Sequence, residues 1–161
     1  MNLPTTLEGI IERFDHVAIA VTDVESALPM VQMLGGKFSA GADHVRNRFR
    51  WVQFELPGGS RLELIAPLSP DSFLIKFLQK RGEGIHHVTY KVGDVEEAAR
   101  RLRQGGYRVE GLHIHPDWSE VFLHPSDGHG VLIQLASWSD DSFGRANTLE
   151  DVLAGRSIDE T

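Results

Sequence analysis

The chain predicts an α+β fold of two tandem βαβββ modules forming an open cupped β-sheet around a metal-binding cleft. Three observations carry that prediction. The sequence repeats internally at one offset, each copy passes from a strand period to a helix period and back, and residues of metal-ligand type interrupt the apolar strands at equivalent positions.

The repeat comes first. Sliding the chain so that His16 falls on His87 lays Asp15-His-Val-Ala-Ile-Ala-Val-Thr-Asp-Val-Glu-Ser-Ala on His86-His-Val-Thr-Tyr-Lys-Val-Gly-Asp-Val-Glu-Glu-Ala. The same offset carries Gly35-Gly36 onto Gly106-Tyr107 and Leu62-Glu63-Leu64 onto Ile133-Gln134-Leu135. A shift held over about fifty residues implies duplication of one structural unit.

Each copy opens on an alternating run, Val17-x-Ile19-x-Val21 or Val88-x-Tyr90-x-Val92, the pattern of a half-buried strand. Asp23 and Asp94 then have the chemistry of N-caps, with acidic residues in the first turn, and the helices run to about Leu34 and Gln104, where glycines stop them. Three extended segments complete each copy: 37–41, 49–56 and 60–66, then 107–113, 119–124 and 130–136. Turns at Pro57-Gly58-Gly59 and Pro125-Ser126-Asp127-Gly128 separate the last two of each set. The division expected is an N-terminal extension at 1–13, modules at 14–69 and 85–136, and a connecting segment at 70–84. Within the latter, Pro70 to Arg81 reads as a helix with Phe73, Leu74, Phe77 and Leu78 on its apolar stripe. Residues 137–161 read as a polar tail, packed on a partner subunit or mobile, with a short capped helix from Thr148 to Gly155.

Composition narrows the function classes. With 161 residues and 41% apolar content the chain can build a core, and no run is long enough to span a membrane. The start, MNLPTTLEGIIERFDH, has no secretory-signal pattern, so a soluble cytoplasmic protein is expected. A formal charge of −7 argues against nucleic acid as a partner and for a small molecule. Cysteine is absent, so a metal would need nitrogen and oxygen ligands. One cationic stretch, His44-Val-Arg-Asn-Arg-Phe-Arg50, alternates so that Arg46, Arg48 and Arg50 would share one face of an extended segment and could meet an anionic substrate group, although a solvated strand face is the simpler expectation.

Strand alternation then selects four residues. If Val17, Ile19 and Val21 turn toward the helix, His16, Ala18 and Ala20 face the other way, as do His87, Thr89 and Lys91, and as do Glu63 and Gln134 against their apolar neighbours. A single strand histidine is more often a packing residue than a ligand. Two at equivalent positions, with Glu63 and Gln134 also paired by the repeat, point to a shared role, because polarity inside an apolar strand costs free energy at each position. Should those faces curve around one cavity, two imidazoles, a carboxylate and an amide oxygen would converge on one divalent ion of borderline type, with Co, Ni, Zn, Mn and Fe all compatible. His86 falls on the opposite face, and His113, His115, His124 and His129 have no paired position.

Phe14-Asp-His-Val-Ala-Ile-Ala-Val21, Leu62-Glu-Leu-Ile-Ala-Pro67, Gly84-Ile-His-His-Val88, Phe122-Leu-His-Pro125 and Gly130-Val-Leu-Ile-Gln-Leu135 together resemble the vicinal-oxygen-chelate (glyoxalase/bleomycin resistance/dioxygenase) superfamily. They look most like methylmalonyl-CoA epimerases and glyoxalase-like proteins, over residues 14–136. The resemblance implies a metal-dependent isomerase or lyase that removes a proton beside a metal-chelated carbonyl of a thioester or 2-oxo substrate, and a homodimer. By position, the family's His, Gln, His, Glu ligand order falls on His16, Glu63, His87 and Gln134, so amide and carboxylate have exchanged places. The resemblance makes the fourth-position carboxylate an acid/base group, and Gln134 cannot accept a proton. A second family base falls on Val52, with Glu55 the carboxylate of that strand, which leaves Glu63 as the catalytic candidate. Two other readings stand beside this one: an Fe(II)-dependent extradiol-type dioxygenase, and a non-catalytic small-molecule binding or resistance protein.

Overall fold

Duplication is written into the strand pairing. In the computed structural model, which describes residues 6–139 and 148–161, strand β1 (Ile11–Ala20) pairs in parallel with β4 (Arg61–Pro67), setting His16 opposite Arg61 and Ala18 opposite Glu63. Strand β5 (Gly84–Val92) pairs in parallel with β8 (Leu132–Ser137), setting His87 opposite Leu132 and Thr89 opposite Gln134. Every one of those positions is displaced by the repeat offset.

The chain divides into two compact units, and the division cuts β1 between Asp15 and His16 and β5 between His86 and His87. One unit holds 16–86 and the C-terminal segment. Its strand order is β1, β4, β3 (Phe49–Glu55), β2 (Lys37–His44), β9 (Ile158–Asp159). Helix α1 (Val24–Met33) packs Val24 and Val31 on Val52, Phe54, Leu62 and Leu64, with Ile19 against the same cluster. Asp23 caps α1 by accepting from Ser26 N at 2.9 Å, and Gly35 closes the turn after the helix at φ 75, a left-handed conformation that glycine adopts without a Cβ penalty.

The opposite face of this sheet is also covered. Helix α2 (Phe73–Arg81) is capped by Ser72 and buries Leu74 against Ala18, Ala20 and Ile65. The small side chains of Ala18 and Ala20 leave room for α2 to lie on this face. The helix also begins at Phe73 rather than Pro70, because Ser72, in an extended conformation, accepts from Leu74 N and sets the start.

The second unit comprises 6–15 and 87–139, with strand order β5, β8, β7 (Ser119–Leu123), β6 (Val109–His113). Helix α3 (Val95–Gln104) repeats the arrangement of α1: Asp94 accepts from Glu97 N at 2.9 Å, Gly106 has φ 81, and Val95, Ala98, Ala99 and Leu102 pack on Val92, Val121 and Leu135. Ile10 joins that cluster, and Phe14 meets the Tyr90 ring edge-on at 5.5 Å. The first strand accordingly begins at Ile11, well before the alternating run that announces it.

Two further expectations are corrected. Residues 148–161 are not a free tail: helix α4 (Leu149–Leu153) buries Val152 in the α1 cluster, and β9 adds to β2 in parallel at Asp43 and His44. The stretch from Val45 to Arg48 is a turn, not part of an extended segment, because β2 and β3 form a hairpin closed by the His44–Phe49 pair. The repeat also slips at the third strand. Glu63 stands opposite Gln53, whereas Gln134 stands opposite Phe122, because the second hairpin has the longer turn.

Candidate metal centre

Each candidate ligand sits on a strand interior, where backbone pairing fixes its direction and alternation keeps it off the α1 or α3 side. In the first unit, β1 presents His16 and β4 presents Glu63, which are 1% and 7% exposed. His16 Nε2 lies 3.6 Å from Glu63 Oε2, and Gln53 Nε2 donates to the same oxygen at 2.8 Å. A buried carboxylate needs such donors. Gln53 was not singled out from the sequence, although the signal that marked Glu63, one polar residue within an apolar strand (Trp51-Val-Gln-Phe54), marks it equally.

In the second unit, β5 presents His87 and Thr89 and β8 presents Gln134, all buried. The Gln134 amide is held at both ends: Thr89 Oγ1 donates to Oε1 at 2.6 Å, and Nε2 donates to Glu120 Oε2 at 2.7 Å. That Glu120 oxygen also accepts from Trp118 Nε1 at 2.9 Å. The His87 ring has Phe122 edge-on at 6.5 Å. Glu120 is a second residue that the sequence reading passed over, because it is reached diagonally across the β7–β8 ladder.

Each unit holds buried side chains of metal-ligand type, His16 and Glu63 in one and His87 in the other. The donor chemistry of these residues fits: imidazole nitrogen and carboxylate oxygen are ligands that a borderline divalent ion accepts.

The other candidates lie elsewhere. Arg50 is taken up by Asp43, with bonds of 2.6 and 3.0 Å, and by the Leu153 carbonyl oxygen at 3.0 Å, and the Asp43 carboxylate holds its pKa above the ordinary arginine value. Arg48 occupies the turn at φ 55 and pairs with Asp71 at 3.1 Å, both exposed, while Arg46 projects from the same turn. The three arginines do not share a strand face, since the hairpin turn breaks the alternation between them. His86 packs its ring on Phe73 and Phe77, at 5.7 and 4.9 Å. Burial, with a smaller contribution from the Arg81 charge, pushes its pKa down to about 4, which keeps it neutral near pH 7. His113 and His115 stack on each other at 6.2 Å, His124 accepts from Ser126 N, and His129 sits in a turn at φ 53. Among the described residues, no helix is long and apolar enough to cross a membrane.

Residues 15–122 match the family described as Glyoxalase/Bleomycin resistance protein/Dioxygenase superfamily. The ethylmalonyl-CoA/methylmalonyl-CoA epimerase of Cereibacter sphaeroides is 36% identical over 135 residues, covering 78% of this chain and 98% of that protein. The crystal structure of methylmalonyl-CoA epimerase from Mycobacterium tuberculosis superposes with a TM-score of 0.74 at 31% identity, covering 82% of this chain and 91% of that one. A Streptomyces coelicolor methylmalonyl-CoA epimerase variant in complex with 2-nitronate-propionyl-CoA gives 0.71 at 30% identity, covering 80% and 99%. The fold class is the one expected, mixed α+β with few helices. The chain thus belongs to the Glyoxalase/Bleomycin resistance protein/Dioxygenase superfamily, in which its relatives include methylmalonyl-CoA epimerases.

Proposed function

We propose that the protein is a metal-dependent epimerase acting on a CoA thioester with an acidic carbon beside the thioester carbonyl, of the methylmalonyl-CoA kind, or a lyase of the same chemistry acting on a 2-oxo compound. The observation that carries the reading is the buried set His16, Glu63 and His87, in a chain whose relatives are epimerases. His16, Glu63 and His87 hold one divalent ion, with Gln134 as fourth ligand. When bound, the ion supplies positive charge beside a carbonyl oxygen, where negative charge develops as the neighbouring C–H is deprotonated.

The chain's own residues do the rest. Glu63 is the proton-transfer group: Gln53 donates to its Oε2 at 2.8 Å, which orients the carboxylate. Arg46 and Arg48, on the β2–β3 turn, reach the charged end of the substrate. Arg50 contributes least, because releasing it would leave Asp43 unpaired. The modules 14–69 and 85–136 are the duplicated functional halves, and the protein acts as a cytoplasmic homodimer.

The test has two arms. Elemental analysis and calorimetry measure metal stoichiometry, and NMR in D2O follows deuterium entry at the acidic carbon of methylmalonyl-CoA. One equivalent of ion and metal-dependent exchange are expected. A metal-loaded protein that exchanges no proton on a panel of 2-acyl thioesters and 2-oxo acids, yet consumes oxygen with catechols when loaded with Fe(II), would refute the epimerase reading.

A further inference from the structure

We infer that Glu120 and Thr89 are positioning residues that hold the Gln134 side chain with its oxygen, rather than its nitrogen, as the ligating atom. The inference rests on His16, Glu63, His87 and Gln134 serving one ion.

An amide ligand has a problem that a carboxylate lacks. The two ends of a glutamine side chain are nearly equal in size, but only Oε1 can donate electrons to a cation, so half of the rotamers of an unconstrained amide are useless. Thr89 cannot decide between them, since its hydroxyl donates to an oxygen as readily as it accepts from a nitrogen. Glu120 can. Its ionised carboxylate only accepts, so at 2.7 Å it requires Nε2; a flipped amide would set two acceptor oxygens against each other at that distance. Trp118 Nε1, donating to the same Glu120 oxygen at 2.9 Å, keeps that carboxylate from swinging away.

With Nε2 committed to Glu120, Oε1 has two lone pairs. Thr89 Oγ1 takes one at 2.6 Å, and one remains for a cation. Donation from Nε2 to an anion also polarises the amide and adds electron density at Oε1, which makes a neutral ligand a better one. The other unit shows the same pair with the parts exchanged. There Glu63 is the ligand, its two oxygens are equivalent, and the neighbouring-strand partner is the neutral Gln53. A carboxylate thus stands beside the amide ligand, and an amide beside the carboxylate ligand.

Calorimetric titration of the full chain with Co(II) and Mn(II) tests this, with metal-free thermal melts to confirm that each variant folds. Glu120→Gln removes the acceptor-only partner of Nε2 and should weaken binding by roughly 10–100-fold. Thr89→Ser should bind like wild type, and Thr89→Val more weakly. The double variant Glu120→Gln with Gln134→Glu re-creates the arrangement of Gln53 with Glu63 and should restore wild-type affinity or better. Glu120→Gln binding as tightly as wild type, while His16→Ala loses the ion, overturns the positioning role and leaves the metal site standing. Absence of binding in wild type, or no effect of His16→Ala, removes the metal site and the positioning role with it.

Discussion

Truncating Val152 to alanine should destabilise the protein by about 2–3 kcal/mol. The side chain is 0% exposed, in the cluster formed by α1, β3 and β4, and a Cβ added to Gly41 of β2 would lie 3.3 Å from both Val152 methyl carbons. Removing two methyl groups forfeits about 1.6 kcal/mol of transfer free energy at ~0.8 kcal/mol each. The space left behind adds about 1 kcal/mol, because neighbouring backbone at Gly41 cannot collapse into it. For a chain of this size the melting temperature should fall by roughly 5–10 °C. The assay is urea and thermal denaturation followed by circular dichroism, with Glu150→Ala on the exposed side of the same helix as control. Amide exchange at Gly41 to His44 provides a local readout, since Asp43 N donates to Ser157 O at 2.8 Å and Ser157 Oγ to Gly41 O at 2.9 Å. A loss below about 0.5 kcal/mol, the range of an ordinary surface change, would refute the docking of 148–161 on β2.

Three further outcomes follow from the geometry. Glu63→Ala should abolish proton exchange on the substrate while Glu55→Ala leaves it within a few-fold; unchanged turnover in the first variant removes Glu63 from catalysis. A divalent ion at 100 times its dissociation constant should stabilise wild type by about 2.7 kcal/mol, with a matching rise in melting temperature that His87→Ala abolishes; a rise that survives that change puts the ion elsewhere. Finally, hydrogen bonds from Arg100 and then Arg101 lower the pKa of Glu97 from 4.5 to about 2. Its folded-state pKa is the depressed one, so this stabilisation is present above pH 4.5 and fades as pH falls toward 2. Glu97→Gln should therefore be slightly less stable than wild type at pH 6 and indistinguishable from it at pH 2; a gap that widens on acidification contradicts the assignment.

The fold and the four candidate ligands were legible because their signals are local. Alternation about Val17 and Val88, the caps Asp23 and Asp94, and the glycines that end α1 and α3 depend on residues within a few positions of one another. The same logic placed His16, Glu63, His87 and Gln134 off the α1 and α3 sides of their strands. Gln53 and Glu120 escaped it because their importance lies in a partner on the next strand, and partner identity depends on register. The two hairpins differ in that respect, so one offset could not find both.

By itself the sequence determined the duplication and the order of elements, since periodicity needs no third dimension. Tertiary structure alone decided that α2 covers Ala18 and Ala20, that β9 extends the sheet beside β2, that a turn separates the three arginines, and that Gln134 is gripped by Thr89 and Glu120. The physical reason is common to all four. Each depends on which surfaces meet after distant segments pack, and those contacts carry no signature in the order of neighbouring residues.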